Sequence, residues 1–511
     1  MLGRRTALAL VLTGALALGA CSAGESVDLG GGASAGGGGG ANLVVAIAGE
    51  PDQLDPHMTS SYFSFEVLEN VYDTLVQPDA DLEMQPALAE SWETSEDQLT
   101  WTFHLREGVT FHDGTPLTAD DVVYSYNRII DGELANAYRF GSVEKVTAAD
   151  ELTVEIALTA PAPNLLSSIG GFKGMAIVLE ENVESGDIKN KPIGTGPFAF
   201  DAYSTGDSIS LTANADYWGG APEIAGVNFR FISEATTALA DLQAGEIHWT
   251  DSIPEQQVAS LTSNPDVEVG KVPSNDYWYL APNGAKAPYS DARVRQAIAW
   301  AIDRDAITQA ATYGNGTTNQ LAIPETSAWY SDYAPYSRDT AKAQQLLQDA
   351  GISDLDLDLM VTTQYPETVQ AAQVIAANLA EIGITVNIRT VDFATWLDEQ
   401  ALGNFDMLLL GWLGNIDPDD FYYNQHHSEG ASNAQKYANS EVDALLEEAR
   451  GETDTDKRRD LYATAAAQIA DDASYIYLYN PDVVQAWSPK VTGYEARGDR
   501  AIRFADVSLE E

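Results

Sequence analysis

Apolar residues at Leu99, Trp101, Phe103 and Leu105 alternate with polar ones, and the run is bounded by acidic and Gly-containing turns. A period of two is that of a strand with one buried face, here a strand of an antiparallel sheet. Residues 152–158 alternate in the same way and stop before Pro161 and Pro163, and the apolar run 42–48 predicts a first strand that Gly49-Glu50-Pro51 breaks. Elsewhere the period lengthens to that of a helix. Phe65, Leu68, Val71, Tyr72 and Leu75 predict a helix over 64–75, and Val122, Val123, Tyr126 and Ile129 follow a Thr118-Ala119-Asp120-Asp121 cap. Val294, Ile298, Ala301 and Ile302 place 290–310 on one stripe, and the stretch 236–249 reads as a helix closed by Gly245 and then a strand. Helices over 340–350 and 367–382 end at Gly351 and Gly383 and lead into strands at 355–361 and 384–391. Repeated helix-then-strand units imply an α/β lobe with a mixed sheet.

A chain of 511 residues exceeds what a single core organises, so two or three lobes are expected, and 45% apolar content is enough to fill each. Pro192 to Phe198 concentrates Gly and Pro at a lobe junction, and its Gly-Thr-Gly lacks the spacing of a phosphate loop. Asp354, Asp356 and Asp358 alternate with Leu355 and Leu357, as on a strand with one solvated face, and neither Gly nor Glu stands where a calcium loop requires it.

The first residues carry Arg4 and Arg5, then an apolar run from Ala7 to Leu18, then Gly19-Ala20-Cys21. This is an export signal whose apolar run is too short for an ordinary membrane span. Leu18-Gly19-Ala20-Cys21 resembles a bacterial lipobox, which implies lipidation of Cys21, the one cysteine of the chain. That count excludes disulfides and all-cysteine zinc sites within the chain. Residues 22–41 are Gly- and Ser-rich and form a flexible tether; the Gly-x-Ser-x-Gly match at 32–36 is a chance match, with no strand before it and no helix after. A formal charge of -50 argues against nucleic acid and anionic lipid as direct partners, because both need basic patches.

The stretches PALAESWETSEDQLTWTFHLREGVTFHDGTPLTADDVVYSYNR, PIGTGPFAF, NADYWGG, DLQAGEIH, NDYWYLAPNGAKAPYSDARVRQAIAWAIDR, AQQLLQDAG and FDMLLLGWLGNIDPDDF together resemble the bacterial extracellular solute-binding proteins of family 5, the oligopeptide- and dipeptide-type receptors of ABC importers. The resemblance implies an α/β bilobed periplasmic-binding-protein fold of the large three-subdomain variety, with a two-segment hinge. Lobe I would take residues 42–75, 189–275 and 480–511, with an extra subdomain at 76–188, and lobe II residues 276–479. It implies binding without catalysis: a peptide or similar nutrient enclosed between lobes and passed to ABC permease subunits. The protein is then an exported monomer held to the outer face of the cytoplasmic membrane through Cys21, with no cofactor and no metal.

The resemblance also assigns site residues. Backbone at Ser60, Ser61 and Tyr62 and at Gly411 to Asn415, Gly414 included, would pair with an extended ligand like an added strand. Tyr62, Tyr277, Tyr279, Trp396 and Trp412 fall on or near cleft-facing positions, where rings cover ligand groups. Family members that take peptides with a free amino terminus place an aspartate shortly after this tryptophan. Here the segment is one residue shorter and Asn415 stands near that place, so a neutral ligand such as an oligosaccharide or a blocked peptide is the alternative. Asp417 either contacts ligand or caps a helix before Phe421. Adjacent His426 and His427 point in different directions and cannot share an ion, so they predict a polar loop at the cleft edge, with His426 the better contact. A competing class is a secreted hydrolase using Asp417 with Asp419 or Asp420 as acid and base; a sensor with a signalling partner is a third.

Overall fold

The computed structural model describes residues 40–172 and 174–510. The leader, Cys21 and the tether up to residue 39 lie outside the described residues.

Among the described residues a 12-stranded sheet runs through the molecule in two halves. In the first half the expected opening strand, Asn42–Ile47, pairs in parallel with Gly226–Phe231 and with Trp249–Thr250. Ser208–Ala213 and Phe198–Ser204 extend it as antiparallel neighbours. In the second half Leu355–Thr362 lies parallel to Ile384–Val391, and Met407–Trp412 antiparallel to Tyr277–Pro282, so the sheet is mixed as its helix-then-strand pattern predicts. One 12-residue strand, Ile476–Trp487, joins the halves: its start pairs with Tyr277–Pro282 and its end with Glu268–Pro273 and Trp249–Thr250.

The strand pattern around residue 100 becomes a separate four-stranded antiparallel sheet of Ala89–Thr94, Thr100–Leu105, Thr153–Leu158 and Val143–Asp150. The helix Ala119–Asp131 covers it, begun by a capping box of Thr118 and Asp121. Phe103, Val122, Tyr126, Val154 and Ile156 give this region a core of its own.

Two helices differ from their patterns. The stripe over 64–75 forms a helix only over Tyr62–Leu68. The carbonyls of Asn70 and Val71, which a longer helix would use internally, accept instead from the amides of Phe198 and Gly196 at 3.0 and 2.9 Å. This is also the reason for glycine in the Gly-Thr-Gly stretch: a Cβ at Gly194 would sit 2.0 Å from the Val71 carbonyl oxygen. The stripe over 290–310 splits into Ala292–Ala301 and Arg304–Thr312, because Ile302 is extended and Asp303 caps the second helix by accepting from the amide of Ala306.

Alternation along Tyr277–Pro282 divides the second half into two cores. Trp278 and Leu280 pack with Leu359, Leu409 and Tyr479 on one face; Tyr277 and Tyr279 pack with Trp396, Leu408, Phe421 and Tyr422 on the other.

Candidate functional site

The two strand segments that pass between the halves are knitted together at one fully buried carboxylate. Asp276 accepts from the Gly414 amide at 2.6 Å and from Arg500 Nε, and its own carbonyl accepts from Asn480 Nδ2 at 2.7 Å. Ser274 Oγ donates to the Pro481 carbonyl and Asn275 Nδ2 to that of Asn415, each at 2.7 Å. Residues from 274–276, 414–415, 480–481 and 500 therefore meet at one junction, and hydrogen bonds to an ionised group there are among the stronger kind.

Around Arg500 the structure gathers acids. Glu66, on the buried face of the short helix Tyr62–Leu68, is 1% exposed, and among the described residues no amide, hydroxyl or cationic donor reaches either carboxylate oxygen. It meets the carboxyl of Asp251 instead, a contact that becomes a hydrogen bond only when one of the two carries a proton. Burial first, and Asp251 second, hold Glu66 well above the usual carboxylate range. Arg500 also acts on Glu255, half-buried after Trp249–Thr250, and on Glu367, in the first turn of the helix Pro366–Ala380, whose carboxyl burial pushes up to about 7. Tyr62 lies beside them, its hydroxyl donating to the Arg500 carbonyl at 2.8 Å.

The other expected residues distribute unevenly. Ser60 is exposed, and the Ser61 amide donates to Thr59 Oγ1 at 2.9 Å. Gly411 packs so close to Trp278 that a Cβ would fall 2.3 Å from the indole. Gly414 takes a positive φ of 60°. Asn415 is 6% exposed, and among the described residues its Nδ2 has no partner. Trp412 is half-buried against the Tyr277 core.

Four expectations are corrected. Tyr277, Tyr279 and Trp396 present no face to solvent, because strand alternation and helix packing turn them into the core: Tyr279 stacks on Tyr475 at 3.8 Å and Trp396 on Phe393 at 6.2 Å. His426 is not in a loop but in the last turn of the helix Pro418–His426, fully buried, with its ring nitrogens engaged by Ser474 Oγ at 3.0 Å and the Tyr477 hydroxyl at 2.9 Å. Burial pushes it down to about 3, so it stays neutral. His427 packs on Tyr423 and reaches Glu447 at 3.2 Å.

Asp417 caps that helix through the Asp419 amide and holds Arg458 with both oxygens, at 2.6 and 2.8 Å. Asp419 faces Arg450 at 3.2 Å and the Tyr462 hydroxyl at 3.0 Å. The same helix start reaches the four-stranded region: Arg139 pairs with Asp420 at 3.6 Å and Asn164 Nδ2 with Asp419 at 3.4 Å. Sequence reading missed Asp276, Arg500, Glu66, Asp251, Glu255, Glu367 and Arg139. An acid at the mouth of the aromatic run Tyr277-Trp278-Tyr279 was the one visible signal, since Tyr62 and Arg500 stand 438 residues apart.

Residues 83–433 match the model of the bacterial extracellular solute-binding proteins, family 5. The chain belongs to this family. It is 33% identical to heme-binding protein A of Haemophilus influenzae over 465 residues, covering 83% of this chain and 84% of that protein. The dipeptide-binding protein of Escherichia coli is 29% identical, with 92% of this chain and 94% of the relative covered. Among solved structures, the ABC transporter-associated periplasmic binding protein DppA from Helicobacter pylori in complex with peptide STSA superposes with a TM-score of 0.83 at 30% identity, over 92% of this chain and 98% of that one. This family 5 protein is thus an extracytoplasmic solute-binding component of an ABC importer with the family's bilobed α/β fold. Its relatives are binding proteins. No helix of the described residues is long and apolar enough to cross a membrane.

Proposed function

We propose that this protein captures a short peptide or a similar small polar nutrient between residues 42–75, 189–275 and 480–511 on one side and 276–479 on the other, and delivers it to the permease subunits of its importer. The subdomain 76–188 closes one end. The observation that carries this reading is the junction at Asp276, where both crossing segments meet and where, among the described residues, Asn415 Nδ2 finds no partner. Buried polar groups are costly unless paired, so groups of this kind suit a ligand. Ser60, Ser61, Gly411 and Gly414 supply backbone, Tyr62 and Trp412 ring surface, and Asn415 a donor. The dipeptide and STSA binders among its relatives support a peptide.

The acids of the hydrolase reading are engaged elsewhere, Asp417 by Arg458 and Asp419 by Arg450 and Tyr462, which favours binding without turnover. Cys21 is the lipid anchor and residues 22–41 the tether of a monomer at the outer face of the cytoplasmic membrane; intact-mass measurement of the exported protein should find a diacylglyceryl group on Cys21.

The ligand test is a thermal-shift screen over short peptides, oligosaccharides, amino-acid derivatives and metal chelates. A bound ligand at a hundredfold excess over its Kd stabilises by about 2.7 kcal/mol. Raised melting with peptides is the expected result; stabilisation by oligosaccharides alone overturns the peptide reading, and product formation overturns binding without turnover.

A further inference from the structure

Residues 70–79 and 273–276, far apart in sequence, both meet one turn near the C-terminus. Arg500 holds a left-handed φ of 63° and closes this turn by donating its amide to the Arg497 carbonyl at 3.1 Å. A residue with a Cβ keeps that conformation only where its surroundings impose it. Here they do so from two sides. On the first, Arg497 Nη2 donates to the carbonyls of Pro78 and Asp79 at 2.9 and 2.6 Å. Asn70 donates to the Ile502 carbonyl at 2.9 Å and accepts from the Phe504 amide at 3.1 Å. On the second, the Gly498 carbonyl accepts from the Asn275 amide at 3.0 Å, and a Cβ at Gly498 would stand 2.8 Å from the Pro273 carbonyl oxygen. The turn is clamped directly against the segment that carries Asp276.

From this fixed place Arg500 reaches in both directions. Its carbonyl accepts from the Tyr62 hydroxyl at 2.8 Å. Its Nε donates to Asp276, whose other carboxylate oxygen accepts from the Gly414 amide at 2.6 Å. Asp276 is fully buried, and among the described residues Arg500 is the one cation paired with it. A buried carboxylate deprived of its cation is strongly destabilised, so the orientation of Asp276, and with it that of the Gly414 amide, depends on Arg500. Asn275 fixes the next peptide by donating Nδ2 to the Asn415 carbonyl at 2.7 Å. Three contacts thus run from Tyr62 through Arg500 and Asp276 to Gly414, joining the segments assigned to opposite walls of the cleft without passing through a ligand.

We propose that Arg500 is a positioning residue for capture: with Asp276 it forms a clasp between the crossing segments that holds the Tyr62 wall and the 414–415 wall in register, so that neither moves independently of the other. That these segments are ligand walls rests on the proposed function; the coupling between them does not, and it is measured without ligand.

Hydrogen exchange of the full chain, followed by mass spectrometry of its fragments, tests the clasp in Arg500→Gln and in Arg500→Gln combined with Asp276→Asn. The combined variant leaves no unpaired charge at the buried position, which guards against loss of folding. The expected result is exchange at least about tenfold faster in fragments covering 411–417 and in those covering Tyr62–Leu68, both at once, with Thr100–Leu105 in its separate sheet unchanged. Adding Asp276→Asn to Arg500→Gln should accelerate either wall little further, because partners that act as a unit are not additive. Acceleration confined to 497–503 or to one wall, equal acceleration at Thr100–Leu105, or native rates at 411–417 in the folded combined variant overturns the proposal. The two readings fail separately. Native exchange at both walls removes the clasp and leaves the receptor; a screen in which no peptide raises melting removes the peptide reading and leaves the clasp.

Discussion

Asp417 was open in the sequence between ligand contact and helix cap, and the structure gives its carboxylate two internal partners at once. It accepts from the Asp419 amide and grips Arg458, whose side chain is 3% exposed. Removing one partner of a buried pair leaves the other charge without compensation, so Asp417→Ala should destabilise the fold by about 3 to 5 kcal/mol in urea unfolding. A loss below about 1 kcal/mol, the range of surface pairs, would show that the pair is not formed in solution. His426 teaches the same point in reverse: its imidazole was legible as a polar group, but nothing local revealed that Ser474 and Tyr477 would enclose the ring. A residue's chemistry is readable from its type, whereas its partners 48 and 51 positions away are not.

At the scale of elements, periodicity located most helices and strands, and the departures have non-local causes. The helix expected over 64–75 stops at Leu68 because Phe198 and Gly196 take its carbonyls, and Asn70 Nδ2 donates to the carbonyl of Ile502. Part of the acidic composition is spent on helix starts: Asp291, Asp303, Asp339, Asp392, Asp417 and Asp454 each cap one. The helix Pro418–His426 has a further use, since its Asp420 meets Arg139, which is 5% exposed in its side chain. This tie spans the four-stranded region and the second half. Arg139→Gln should therefore shift the population toward separated halves, weaken ligand binding by about tenfold and enlarge the radius of gyration seen by solution scattering. Unchanged affinity and radius would mean that the pair bears no part of closure.

For the whole molecule, a charge of -50 turns into a pH response through the acids that folding buries. Burial pushes the carboxyls of Glu69 and Glu367 up to about 7 from an ordinary 4.5. Between those limits the folded chain keeps protons that the unfolded chain releases, so these groups make stability fall as pH rises from about 4.5 to about 7. His57, down at about 4, and His426, at about 3, act oppositely, losing stability as pH drops below 6.5. Comparing melting of the native chain with Glu367→Gln at each pH isolates the first effect: the native chain should lose ground to the variant from pH 4.5 to 7. Parallel curves would refute the burial of that carboxyl.

Most of the elements, the α/β class and the family were legible in the sequence, because periods of two and 3.6, caps and Gly stops act within a few residues, and motif order survives along the chain. Which faces closed depended on contacts between distant segments. Tertiary structure turned Tyr277, Tyr279 and Trp396 into core and brought Glu66, Asp251, Asp276, Glu367 and Arg500 to one junction. The reason is physical: burial and electrostatics depend on distance in space, and residues such as Tyr62 and Arg500, 438 positions apart, become neighbours only when the chain folds.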